Sequence, residues 1–182
     1  MNQPWYRKLF SSSASNESTG NQGHAKDEEL EAHNNRGVLH CAKPGGEQSF
    51  PRALESFRKA ADQGHAMAQN NLGLMYSLGL GIPKYPAEAS KWFHRSADQG
   101  DPGAQYHLGV LSQRASMDPI SDAAHEGQIE AFKWFQLAAD QGYWKADVSR
   151  ERVNLQMNQA DLTEARRRVA AFVRRKEIAR SE

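Results

Sequence analysis

Ala61-Asp62-Gln63-Gly64, Ala97-Asp98-Gln99-Gly100 and Ala139-Asp140-Gln141-Gly142 are one phrase written three times. Glycine closes a helix well because it enters the left-handed region without the steric penalty that a side chain brings. The three glycines are spaced by 36 residues (100 − 64) and then by 42 (142 − 100). Self-similarity at a period of this size signals stacked supersecondary units.

A second marker runs in step with the first. Ala32, Ala68 and Ala104 each stand five residues before Gly37, Gly73 and Gly109. Each unit then reads as helix A, loop, helix B and turn. In the second unit the spacing predicts helix A over Met67–Tyr76, followed by a breaker-rich loop over Gly79–Pro86. Helix B keeps its register through Ala53, Ala89 and Ala131, then Phe57, Phe93 and Phe135, then Ala61, Ala97 and Ala139. Positions four apart share a helix face, so small, aromatic and small residues form one stripe. A mid-helix glycine costs about 1 kcal/mol against alanine. Its recurrence at Gly37, Gly73 and Gly109 therefore predicts a close helix-to-helix contact that excludes a side chain.

The third unit carries six extra residues within Gln113–Gly127, where the pattern expects a loop. Beyond Gly142 the pattern half-returns, with Ala146 in register but Glu151 where a glycine belongs. Val148, Val153, Leu155 and Met157, then Leu162, Ala165, Val169, Phe172 and Val173, suit two capping helices with the apolar side inward. Trp92 and Trp134 recur at one helix B position, where unit one has Ser56, and read as packing residues between units. Trp144 does not recur and reads as a cover for the cap.

Ser11–Lys26 is polar and almost free of large apolar groups, so residues 1–27 are expected to be disordered, with order beginning near Asp27. The expected array spans 28–177, with repeats at about 32–67, 68–103 and 104–145, a cap at 146–177 and a tail at 178–182.

A net charge of +1, with 25% charged and 38% hydrophobic residues, fits a soluble protein and gives no overall drive toward nucleic acid or an anionic membrane. Cys41 is the only cysteine, which rules out an intrachain disulfide. No apolar run approaches the length of a membrane span, and the N-terminus lacks the apolar core of a secretory signal. A cytoplasmic location is expected. Arg7, Lys8 and the early serines faintly suggest an organellar transit peptide, but a soluble tail is the simpler reading.

Ala68-Gln69-Asn70-Asn71-Leu72-Gly73-Leu74-Met75-Tyr76, with Gly79-Leu80-Gly81-Ile82-Pro83, Ala89-Ser90-Lys91-Trp92-Phe93 and Ser96-Ala97-Asp98-Gln99-Gly100, closely resembles the Sel-like repeat. That family is related to the tetratricopeptide repeat. The first unit departs from the pattern at Arg36, where leucine is usual, and over Cys41–Pro51. The resemblance implies an all-α fold, a right-handed α/α superhelix of about three helix-turn-helix repeats with a C-terminal capping pair. It also implies a mainly bacterial adaptor whose A helices line a concave face. By family similarity the partner-binding positions are Asn34, Val38, Asn70, Leu74, Ser77, Tyr106, Val110 and Gln113. Side-chain amides there would hold a partner's backbone while apolar neighbours supply contact area.

No catalytic, cofactor or metal site is expected. Gly79-Leu80-Gly81 lacks the third glycine, the lysine and the preceding strand of a phosphate loop. His33, His40 and Cys41 do not complete a zinc set. His94 and His107 have no nucleophile at a telling spacing. The basic C-terminal stretch, with Arg150, Arg152, Arg166-Arg167-Arg168 and Arg174-Arg175-Lys176, is interrupted by acids and reads as a solvated capping helix, so no nucleic acid is expected. The expected function is thus non-catalytic capture of a protein or peptide, with a homodimer through an exposed end compatible with so short an array. An inhibitor or immunity protein that blocks a secreted enzyme, and a hydrolase with its site in the groove, are the alternatives.

Overall fold

The computed structural model describes residues 23–42, 49–116 and 123–181, and all the regular structure among them is helical. Residues 43–48 and 117–122, within the loop regions at Cys41–Pro51 and Gln113–Gly127, and residues 1–22 of the expected disordered tail lie outside the described residues. The chain divides into two compact units, residues 1–99 and 100–182.

The first unit holds α1 (Gly23–Ala42), α2 (Phe50–Ala61), α3 (Ala66–Leu78) and α4 (Pro86–Gln99). α1 opens at Gly23, so Asp27 lies in its second turn rather than its first. His24, Ala25 and Lys26 are all compatible with a helix, which explains the earlier start. Gly64 ends the α2 turn at φ +98°, and His65 N–H reaches back to the Ala60 carbonyl at 3.1 Å. Gly79 closes α3 at φ +74°. Gly81, also at φ +74°, passes so near the start of α2 that a Cβ would sit 2.7 Å from Phe50 Cβ. The helix A and helix B pairs are locked as the recurring glycines predict. A Cβ on Gly37 would meet the Phe57 ring at 2.5 Å, and one on Gly73 would meet Phe93 at 2.7 Å.

The second unit holds α5 (Pro102–Ala115), α6 (Ala123–Asp140), α7 (Trp144–Asn154) and α8 (Gln159–Ser181). Gly109 repeats the lock, with a Cβ meeting Phe135 at 2.5 Å. The whole helix B stripe is buried except Ala139, which is half-buried. The inserted segment is not simply a loop. Gln113–Ala115 completes α5, and Ala123–Gly127 adds turns to the start of α6. Those turns help attach α8: His125 Nδ1 lies 2.8 Å from Asp161 Oδ2, and Glu126 pairs with Arg168, which also pairs with Glu130 further along α6 and with Glu164 on α8 itself. The acids hold the Arg168 guanidinium well above its ordinary pKa by hydrogen bonding, and Arg167 and Arg168 hold Glu164 down at about 2.

Two expectations for the capping pair need correction. Ala165 and Phe172 are buried, with Phe172 edge-on to Trp134 at 5.6 Å between ring centroids, so Trp134 packs as expected. Trp144, however, is 72% exposed rather than covering the cap. The inward face of α7 is set by Ala146 and Val153, seven residues apart, and position 144 falls off that stripe. Val148, Leu155 and Val173 are likewise exposed, so the cap's apolar residues do not all point inward. The 178–182 tail is helical through Ser181.

Candidate interaction surface

In the first unit the A helices are α1 and α3, and their side chains meet directly. Asn71 Nδ2 donates to Asn34 Oδ1 at 2.9 Å, and Asn34 Nδ2 donates to Met67 Sδ at 3.5 Å. Asn34 is 1% exposed, so its amide is used inside the unit. Leu74 is buried as well. Asn70 is 9% exposed, and its Oδ1 has no hydrogen-bond partner. Val38 and Ser77 are half-buried. Of the five positions expected here, then, two keep an open side on this unit and three lie within it.

The helix A amides also form a repeated ladder that the sequence reading missed. Gln99 Nε2 donates to Gln69 Oε1 at 2.7 Å, while Gln69 Nε2 donates to the Ala61 carbonyl at 3.1 Å. In the second unit Gln141 Nε2 donates to Gln105 Oε1 at 2.8 Å. In the second and third copies of the recurring Ala-Asp-Gln-Gly phrase the glutamine thus binds helix A of its own repeat, whereas Gln63 in the first donates to the Lys59 carbonyl at 3.2 Å; the recurrence was the available signal. Gln69→Leu should remove both of these hydrogen bonds, leaving the Ala61 carbonyl only the Gly64 N–H and the Gln99 amide only the Arg95 carbonyl, and lower stability by about 1–3 kcal/mol. The urea midpoint measures this, and a loss below about 0.5 kcal/mol would remove the ladder as a stabilising feature.

In the second unit Tyr106, Val110 and Gln113 are half-buried and share one face of α5, at spacings of four and three residues. Tyr106 is the centre of an aromatic group. Its ring centroid lies 5.6 Å from those of His107 and Phe135, and 5.2 Å from that of Tyr143. Such pairs hold a ring in place beyond simple area burial. Around this group the titrating side chains are displaced from their ordinary behaviour. Burial, reinforced by Lys145, pushes the His107 imidazole down to about 4. Burial pushes the Asp101 carboxyl up to about 6, against the hydrogen bonds it accepts from the backbone. Tyr143 is raised by burial and by Tyr106 and Asp101 beside it.

The sequence reading used neither Asp101 nor Tyr143. Both directly follow a turn glycine, as His65 does, and these three residues are the N-caps of α7, α5 and α3: Tyr143, Asp101 and His65 respectively. Asp101 Oδ1 accepts from Ala104 N–H at 2.7 Å, and His65 Nδ1 from Ala68 N–H at 3.2 Å. An aspartate directly before Pro102 was a legible capping signal.

Cys41 is buried, and desolvation pushes its thiol up to about 12, so it is held protonated. Among the described residues no three His, Cys, Asp or Glu side chains group as metal ligands would, and no helix is long and apolar enough to cross a membrane.

Helix pairs locked by glycine against phenylalanine, tied by glutamines and repeated along the chain, define a helical repeat protein. The model of the Sel1 repeat matches residues 30–65, 66–101 and 102–143, and the chain belongs to that family. Its all-α fold is accordingly of the α-solenoid repeat class. Among solved structures it is similar to a protective antigen present in uropathogenic Escherichia coli strains that displays an SLR fold. The TM-score is 0.71 at 22% identity, over 93% of this chain and 37% of that one. The chain thus spans little more than a third of that antigen's length. No curated protein matches it.

Proposed function

We propose that the chain is a non-catalytic scaffold that captures a peptide or protein segment on the open side of its A helices. Sel1 repeats generally serve as protein-protein interaction modules, which supports this class of role. The observation that carries it is Tyr106, half-buried yet held by three neighbouring rings, with Val110 and Gln113 beside it on α5. A fixed aromatic ring supplies contact area at low entropic cost, and the flanking amide can bond a partner's backbone. Val38 and Ser77 extend the same kind of surface on the first unit. Asn34, Asn70 and Leu74 act from beneath it, by setting helix positions rather than by touching the partner.

Panning a random peptide library against the full chain tests this. Selected peptides should bind Tyr106→Ala at least about tenfold more weakly, as expected for an aromatic anchor worth more than 1 kcal/mol. Gln113→Ala should have a smaller effect. Peptides that bind both variants as tightly as the unaltered chain would place recognition elsewhere.

A further inference from the structure

In α3, Ala68, Leu72 and Met75 are wholly buried, and that helix packs against both α2 and α4. The same register around Gly37 puts Ala32, Arg36 and Leu39 on α1, and all three are exposed, Leu39 by 63%. Among the described residues α1 has α2 alone as its closely packed helical partner, with Asn34 reaching α3. Among the described residues no helix covers that side of α1. Exposed Glu28 and Glu29 lie on it one turn before Ala32, with Asp27 and Glu31 alongside.

The second unit ends in a helix of the opposite character. α8 buries only Ala165 and Phe172, leaving Val173 and Ile178 exposed. A shallow hollow lined by Ala171, Arg174, Arg175, Ile178 and Ala179 runs along it. Over their full lengths α8 carries seven basic and three acidic residues, +4, while α1 carries two basic and four acidic residues, −2.

We propose that the chain self-associates head to tail, with α8 of one copy seated on the open side of α1 of the next. In the first unit a helix A, α3, packs against the second helix of the preceding pair, α2, and α8 is the second helix of its own pair. Val173 meets Leu39 and Ile178 meets Ala32, which runs the two helices antiparallel and sets Arg180 beside Glu28 and Glu29. The two surfaces differ, so the contact is heterologous and closes as a ring or extends as a filament.

Sedimentation of the full chain should show a mass that rises with concentration from 20.4 kDa. It should fall back when salt screens the acids and arginines. Glu28→Lys with Glu29→Lys should weaken association at least about tenfold, and mixing that variant with Arg180→Glu should restore it. Under oxidation, Leu39→Cys and Val173→Cys should cross-link only when mixed, because Cys41 is buried. A chain that stays monomeric at all concentrations, its open side covered by its own residues 1–22 or by nothing, overturns the proposal. So does cross-linking of either cysteine variant with itself, or association indifferent to charge reversal.

Discussion

Phe93→Ala is expected to lower stability by about 3–5 kcal/mol, a large share of the total for a single domain. Phe93 is buried between Ala89 and Ala97 on α4 and lies where a Gly73 Cβ would otherwise be, so its loss opens a void that rigid helices cannot close. The stronger test is the cycle with Gly73→Ala. Alone, the added methyl sits 2.7 Å from two ring carbons. Overpacking of this kind costs about 1–3 kcal/mol, which exceeds the roughly 1 kcal/mol gained in helix propensity. In the Phe93→Ala background the ring is gone and only the propensity gain remains, so the same substitution should become neutral or stabilising. Urea unfolding of the four proteins reads the change of sign. If Gly73→Ala stabilises both backgrounds equally, the glycine is not there to admit the ring. The same geometry extends the expectation to Gly37 with Phe57 and to Gly109 with Phe135.

That lock was legible in the sequence because it recurs. Three glycines and three phenylalanines in step have no simpler physical reading than mutual contact, and the turn glycines Gly64, Gly100 and Gly142 declare their positive φ by the same repetition. Features carried by one copy were harder to read. Trp144 looked like a cover because tryptophan is usually at least partly buried, yet its helix is turned by Ala146 and Val153, small residues that exert less pull on the eye. The insertion before Ala131 looked like a loop because it breaks the period, although its two ends continue α5 and α6 and its Glu126 finds Arg168 across 42 residues of chain. Asn34 illustrates a third case. Family register places it on a binding face, but the fate of its amide depends on Asn71 and Met67, which only the packing of α1 against α3 brings within reach.

The aromatic face of the second unit should be held between two opposed titrations. Asp101 has a folded pKa of about 6 against an ordinary value of 3.8, so the folded chain binds the extra proton. Its contribution is fully present below pH 3.8 and is lost as pH rises through about 6. His107 has a folded value of about 4 against an ordinary 6.5, so its contribution is present above pH 6.5 and is lost as pH falls toward 4. Each shift is about two units, or of the order of 3 kcal/mol, and they run in opposite directions over nearly the same window. The unaltered chain should therefore show a shallow stability profile from pH 4 to 6.5. Asp101→Asn keeps an oxygen for the Ala104 N–H but removes the titration, so stability should fall steeply as the solution is acidified. His107→Gln should do the reverse, losing stability as pH rises from 4 to 6. Every other ionisable group is common to the three proteins, so the differences between their urea midpoints isolate these two. Parallel profiles for all three would show that neither group is buried as deeply as the structure places it. Opposed slopes would establish that burial shifts Asp101 and His107 in opposite senses, so that their pH dependences offset each other beside Tyr106, which packs against His107 and Tyr143.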